Sequence, residues 1–464
     1  MCALSCLESL NFSPLPHQIH TADRVVNQIG GRAILADEVG LGKTIEAGII
    51  VKELIERKQV ERVLILTPAS LAPQWCMEMR DKFALYFYHN RRDHNWTYFS
   101  FIVASIDRAK RSEQLKAISQ AGFDLLIVDE AHRLKNCNTA NYKAVQQIAA
   151  KYLLLLTATP LHNNLKELYN LIELVKPGFS GDYTRFAAEF ETEGEHRLNS
   201  VMIRNLKSEL QDKLPPRSVE LVPITLTSAE RDLYAAVNSY IKWEYRRRRN
   251  AKLSVLNLIL LQREICSSSF AAQATLAKMG LDELAARAAG VKHNSKADAV
   301  YELLQRDNGR TIIFTQFKAT QAYLYDFLAH LGVNALCYNG DLKAWQRVWM
   351  RDEFQQSSSV LISTEAGGEG INLQGANTVI NYDLPWNPMR VEQRIGRVHR
   401  LGQTQTVQVY NLYAQDTVEE LIVASLREKI AIFNTAVGEL DRIIDNELEP
   451  AVGLLDYWHG VKVG

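Results

Sequence analysis

The 464-residue chain has few features that would suit it to an oxidising compartment or to a lipid bilayer. Its six cysteines, Cys2, Cys6, Cys76, Cys137, Cys266 and Cys337, form no C-x-x-C pair. That spacing argues against a zinc or dithiol motif and suits free thiols buried as small apolar groups in a reducing cytoplasm. No apolar run reaches the roughly 18 residues that a membrane-spanning helix needs. The longest, around residues 152–156 and 258–261, fall far short. The opening Met1-Cys2-Ala3-Leu4-Ser5-Cys6 lacks the basic segment of a signal peptide. Charge of one sign is missing too, since 53 Lys+Arg balance 53 Asp+Glu. A polyanion must therefore be held by a local basic surface, because there is no global positive field. There is no repeat of fixed period and no low-complexity tail. Neither a membrane nor zinc is expected among the partners.

What is present reads as an ordinary folded α/β chain. Apolar residues make up 47 % and charged residues 23 %, and the length suggests about three domains. Short apolar runs without polar alternation recur at residues 33–36, 63–66, 101–103, 125–128 and 153–156. Such runs are buried on both faces, as central strands of a parallel sheet are. A second series follows at 311–314, 335–337, 360–362, 379–380 and 407–410. Two separate α/β sheets account for both series. Between them, residues 165–292 have helical spacing, interrupted by Pro215-Pro216 and an extended stretch over 218–226. That stretch is expected to be a strand returning to the first sheet.

The first strand runs into Asp37-Glu38-Val39-Gly40-Leu41-Gly42-Lys43-Thr44, followed by a helical pattern. Strand, glycine turn, Lys-Thr and helix together make a phosphate cradle. Gly40 and Gly42 let backbone N–H groups approach phosphate oxygens, Lys43 reaches the outer phosphates, and the Thr44 hydroxyl suits Mg²⁺. The strand over 125–128 ends in Asp129-Glu130-Ala131-His132. A parallel sheet presents ligand groups at that end of its strands. Asp129 is placed to hold Mg²⁺, and Glu130 to orient and deprotonate an attacking water. Late in the chain, Gln393-Arg394-Ile395-Gly396-Arg397-Val398-His399-Arg400 puts Arg397 and Arg400 three apart, on one face of an expected helix. They read either as charge donors to a γ-phosphate or as a solvated basic helix.

In this order the blocks resemble the superfamily-two nucleic-acid motors, and within them the Snf-type DNA translocases related to chromatin remodellers. Leu15-Pro16-His17-Gln18 resembles the adenine-reading segment, with Gln18 as reader. Leu66-Thr67-Pro68-Ala69-Ser70-Leu71 with Gln74-Trp75, the stretch Leu156-Thr157-Ala158-Thr159-Pro160, and Ile313-Phe314-Thr315-Gln316-Phe317 resemble further family motifs. So do Ser363-Thr364-Glu365-Ala366-Gly367-Gly368-Glu369-Gly370 and Trp386-Asn387-Pro388. The intervening Leu214-Pro215-Pro216 and Leu261-Gln262-Arg263-Glu264-Ile265-Cys266 favour the Snf branch over RNA helicases. The match spans residues 15–403.

The resemblance implies two RecA-like parallel-sheet lobes with helical insertions, hydrolysing ATP with Mg²⁺ while moving along double-stranded DNA. It implies a nucleoid-associated protein with a protein partner that targets the motor. Residues 1–226 would form lobe 1, with a helical insertion from about 165; 227–292 a helical protrusion; 293–416 lobe 2; and 417–464 a helical brace. Lys43, Glu130, Gln393, Arg397 and Arg400 would be catalytic. Gln18, Asp37, Gly40, Leu41, Gly42, Lys43, Thr44, Gly370, Arg397 and Arg400 would bind nucleotide, with Thr44 and Asp129 on the metal. Ser70, Gln74, Trp75, Ser105, Thr315, Gln316, Thr364, Gly367, Trp386 and Asn387 would face nucleic acid. For Trp75 and Trp386, core packing is the competing reading. The basic run Arg246-Arg247-Arg248-Arg249 reads either as a phosphate contact or as a solvated face. Glu365 and Glu369 depart from the remodeller pattern, as does Gly396, and an acid near DNA would cost affinity there. These variants are closer to compact microbial members, including the bacterial ATPase that recycles RNA polymerase. Two other readings stand beside the translocase. One is a strand-separating DNA or RNA helicase; the other is an architectural binding protein with an inactive ATPase fold.

Overall fold

The computed structural model describes residues 4–92, 95–157, 165–179, 181–205, 214–247, 252–307, 309–365, 373, 375–386 and 388–424. The chain divides into two compact units, 1–213 and 214–464. Among the described residues no helix is long and apolar enough to cross a membrane.

The first unit is built on a seven-stranded sheet: β1 (Arg32–Leu35), β2 (Val63–Thr67), β3 (Tyr88–Asn90), β4 (Phe101–Ser105), β5 (Leu125–Asp129), β6 (Tyr152–Leu156) and β7 (Met202–Ile203). The spatial order is β3-β4-β2-β5-β6-β1-β7, with every pairing parallel. Successive residues of one strand enter opposite cores. Leu64, Leu126 and Leu155 pack on one face of the sheet, while Val63, Ile127 and Leu154 pack on the other. Burial on both faces is why these strands read as unbroken apolar runs. The strand order reverses around β1, β5 and β6, and their C-terminal ends are where such a sheet holds ligands.

The second unit carries a six-stranded sheet of β8 (Arg217–Ile224), β9 (Thr311–Thr315), β10 (Ala335–Tyr338), β11 (Val360–Thr364), β12 (Thr378–Asn381) and β13 (Val407–Ala414). Its order is β10-β11-β9-β12-β13-β8. Here the sequence expectation fails. The extended stretch after Pro216 does not return to the first sheet; it pairs parallel with β13, from Arg217 opposite Val407 to Ile224 opposite Ala414. Periodicity identifies a strand but not its partner. The exposed start of β8 and its Pro223, which has no N–H to donate, suit a sheet edge. The boundary of the first unit therefore lies near 213 rather than 226.

Between β8 and β9, the helices Ser228–Arg247, Lys252–Ser267, Ser269–Lys278 and Asp282–Gly290 close around their own core. Leu233, Val237, Ile241, Leu261, Leu276 and Ala288 fill it. After β13, Val418 and Ile422 pack against the second unit; residues 425–464 of the expected brace lie outside the described residues.

Candidate functional site

The phosphate-cradle sequence forms a turn between β1 and helix Lys43–Glu56. Gly42 caps that helix with φ +96°, a left-handed conformation that only glycine adopts without strain. A Cβ there would lie 2.5 Å from Gln18 Nε2. Gln18 is that close because its amide donates to the Leu41 carbonyl at 3.0 Å; His17 Nε2 contacts the same oxygen at 3.0 Å. His17 and Gln18 thus brace the loop. The first N–H groups of the helix have no intrahelical acceptor and favour an anion.

Lys43 folds back along this turn. Its Nζ donates to the Asp37 carbonyl at 2.5 Å and to that of Glu38 at 3.3 Å. Burial lowers its pKa, against the pull of Asp37, Glu130, Glu46 and Asp129. Those carboxylates come from the loop, from the helix behind it and from the end of β5, so the phosphate cradle and the acidic pair make one site.

At the end of β5, Asp129 is held through both oxygens. Oδ1 accepts from the Glu130 amide at 2.8 Å. Oδ2 accepts from Trp75 Nε1 at 2.8 Å and from Thr67 Oγ1 at 3.4 Å. Burial, and then the Glu130 charge, push its carboxyl up to about 6. Positive charge beside it would restore the carboxylate, and the donor set of a Thr44 hydroxyl with an Asp129 carboxylate is the hard-oxygen chemistry Mg²⁺ prefers. The residues therefore fit that ion. Glu130 adopts φ +52°, unusual for a residue with a side chain. Its Oε2 lies 3.1 Å from His132 Nδ1.

Several expected contacts fall elsewhere. Asp37 commits its carboxylate to Asn205, accepting from its amide at 2.9 Å and from its side chain at 2.9–3.0 Å. It serves the site through its backbone carbonyl. Trp75 is 2 % exposed and is committed to Asp129. Thr315 is fully buried, its hydroxyl on Asp383 Oδ2 at 2.6 Å, and Thr364 is also buried. These three side chains point inward, because the apolar strands and helix that carry them leave those positions facing the core. Ser105 caps the next helix by accepting from the Arg108 amide at 3.2 Å. Gln74 donates to Glu78 at 2.7 Å, and Ser70 is half-buried.

In the second unit, helix Pro388–Ile395 stops before the two arginines. Arg397 and Arg400 lie in the turns that follow, not on a helix face. Gly396 weakens the helix, and amides from 397 to 400 bond only two or three residues back, apart from His399 to Ile395. Both arginines and Gln393 are half-buried. Gln316 gives its amide to Asp383 at 2.9 Å and receives a hydrogen bond from Arg263 of the helical insertion. Trp386 is half-buried, with the Arg263 guanidinium 5.9 Å from its ring. Arg246 and Arg247 are exposed. Gly367, Gly370, Asn387, Arg248 and Arg249 lie outside the described residues.

Sequence reasoning missed Glu46, Asn205 and Arg394. Glu46 is fully buried, and burial and Asp37 raise its carboxyl well above the usual range. An acid on the inner face of the apolar stretch Ile45 to Val51 was the available signal. Asn205 gave none, since its partner is 168 residues away.

The family matches divide the chain later than its compact units do. Residues 19–271 match the SNF2-related domain and residues 295–402 the helicase conserved C-terminal domain. An uncharacterized ATP-dependent helicase of Bacillus subtilis, YqhH, is 44 % identical over 457 residues, covering 94 % of this chain and 81 % of the relative. The CHD3-type chromatin-remodeling factor CHR7 of Arabidopsis thaliana is 30 % identical over 452 residues, 90 % of this chain. The chain spans only 37 % of that relative's length. The Hef helicase domain of Pyrococcus furiosus has the same fold, with a TM-score of 0.57 at 19 % identity, over 91 % of this chain and 99 % of that one.

Proposed function

The chain belongs to the SNF2-related family of helicase-like, nucleic-acid-dependent ATPases with two RecA-like lobes, and from that premise we propose that it is a double-stranded DNA translocase. The observation that carries the reading is the turn between β1 and helix Lys43–Glu56 on the same sheet as the end of β5, whose Asp129 and Glu130 act electrostatically on Lys43. Similarity to the Arabidopsis chromatin-remodeling factor supports DNA as the track.

In the proposed cycle, the turn over residues 38–42 and the N-terminus of helix Lys43–Glu56 receive the phosphates of ATP. Lys43 exchanges the Asp37 and Glu38 carbonyls for phosphate oxygens. Trp75 and Thr67 keep Asp129 oriented. Glu130 positions the attacking water and takes its proton. Thr44 and Asp129 would hold Mg²⁺, which when bound neutralises phosphate charge. Arg397 and Arg400 are proposed donors of positive charge to phosphoryl transfer.

The test is ATP hydrolysis by the full chain with and without duplex DNA, over a range of salt. Duplex should stimulate turnover, and stimulation should fall steeply with salt as phosphate contacts are screened. Lys43→Ala should abolish turnover, and Glu130→Gln should bind ATP without hydrolysing it. Turnover in either folded variant at the wild-type rate would remove that residue from its role. A rate indifferent to any nucleic acid would sink the motor reading.

A further inference from the structure

The helical insertion of the second unit presents an aromatic and basic face that the nucleotide site does not use. On helix Ser228–Arg247, Tyr240, Trp243 and Arg247 follow at spacings of three and four, which places them in one row. The adjoining face is fixed in the subdomain core by Leu233, Val237 and Ile241, with Tyr240 packed at its margin. Trp243 nevertheless stands 55 % exposed. The Arg247 guanidinium lies 4.7 Å from its ring centroid, and the Tyr240 ring lies 6.1 Å away, tilted by 39°. Arg247 is itself steadied by Glu244 at 3.1 Å. The ring is therefore held in place from both sides along the helix, while more than half of the residue faces solvent.

The charge around the ring is of one sign. Arg246 and Arg247 are exposed and Lys242 is half-buried. From residue 239 to 252 the only acid is Glu244, which is buried. Exposed aromatic surface beside exposed arginines complements a nucleic-acid strand, in which flat bases alternate with phosphates. Paired bases keep their faces inside the stack, so a ring standing off a helix stacks most readily on a base that is unpaired.

We propose that Trp243 stacks on an unpaired base while Arg246 holds the neighbouring phosphate, making this helix a single-strand contact distinct from the duplex track. The inference rests on the nucleic-acid dependence described above and specifies the state of the strand that this surface takes.

The test is fluorescence anisotropy of the full chain without nucleotide, at one salt concentration. The probes are a single-stranded oligodeoxynucleotide, the same strand with abasic sites, and a duplex of the same sequence. Trp243→Ala should weaken the intact single strand on the order of ten-fold or more. Duplex binding should be unchanged, and Trp243→Phe should restore single-strand binding. Wild-type protein should bind the abasic strand as weakly as Trp243→Ala binds the intact one. Equal wild-type affinity for intact and abasic strands overturns the proposal, as does an equal loss on single strand and duplex. Duplex-stimulated ATP hydrolysis, retained in Trp243→Ala, shows that the variant is folded. If wild-type protein shows no such stimulation, the duplex-motor reading fails, while the binding comparison still decides the single-strand contact.

Discussion

Glu365, just beyond β11, receives a hydrogen bond from Arg394 of helix Pro388–Ile395, Oε1 to Nη2 at 2.8 Å. Its other oxygen takes Arg390 Nη1 at 2.9 Å. Arg394 is buried and also donates to Asn381 Oδ1 at 3.0 Å and to the Asp383 carbonyl at 2.8 Å. One guanidinium thus ties together the ends of β11 and β12 and the segment leading to Arg397 and Arg400. The acid that looked costly for DNA in the sequence is neutralised by two arginines.

Removing Arg394 would leave Glu365, Asn381 and the Asp383 carbonyl short of a donor. Arg394→Met should lower the stability of the second unit by roughly 3 kcal/mol, as when one partner of a buried ion pair is deleted. Glu365→Gln keeps a carbonyl acceptor for one arginine but turns an amide donor towards the other, and should cost about 1 kcal/mol. Urea unfolding, followed by a probe confined to the second unit, checks both. Equal and negligible losses would show that the pair holds nothing.

Trp75→Phe removes the indole donor from Asp129 but keeps an apolar ring in the core. Maximal ATPase rate should fall at least several-fold while duplex affinity stays within about two-fold, since one hydrogen bond to a carboxylate contributes about 1.5–3 kcal/mol. A loss of DNA affinity at an unchanged rate would return Trp75 to the nucleic-acid surface.

Arg397→Ala and Arg400→Ala should each reduce the maximal rate by on the order of 10³-fold, with nucleotide affinity changed less. Steady-state kinetics with a nucleotide-binding measurement separates the two quantities. A variant that loses only DNA affinity reassigns its arginine.

His89, in β3, supplies a pH dependence. Burial, and then Arg91, lower its pKa to about 4. The unfolded chain then binds more protons than the native one between the ordinary histidine value of about 6.5 and that lower one. Stability should therefore fall as pH drops through this window and level off below it. His89→Gln should flatten that part of the unfolding profile; an unchanged slope would assign the acid sensitivity to other groups.

The central strands and the nucleotide loop were legible because their causes are local. Burial on both faces leaves unbroken apolar runs, and a phosphate turn needs glycine, lysine and threonine at fixed spacing. Pairings between distant segments were not legible. The partner of β8 depends on which ladder is open at a sheet edge. The inward direction of Thr315 and Thr364 depends on strand register. The turn that carries Arg397 and Arg400 arises where Gly396 interrupts a helix that continued spacing suggested. Trp75 was open to two readings on sequence, and its bond to Asp129, 54 residues away, assigns it to the core.

Movement along duplex DNA without separation of the strands is measured most directly by pairing two substrates under ATP. One carries a third strand wound in the major groove of a duplex; the other is a plain forked duplex. Separating strands must offset base stacking of about 1.4 kcal/mol per step, whereas a third strand is displaced by translocation alone. The full chain should release the third strand in an ATP-dependent manner, Glu130→Gln should not, and the fork should stay paired. Efficient unwinding of the fork, or a third strand left in place while ATP is hydrolysed, would contradict a duplex translocase.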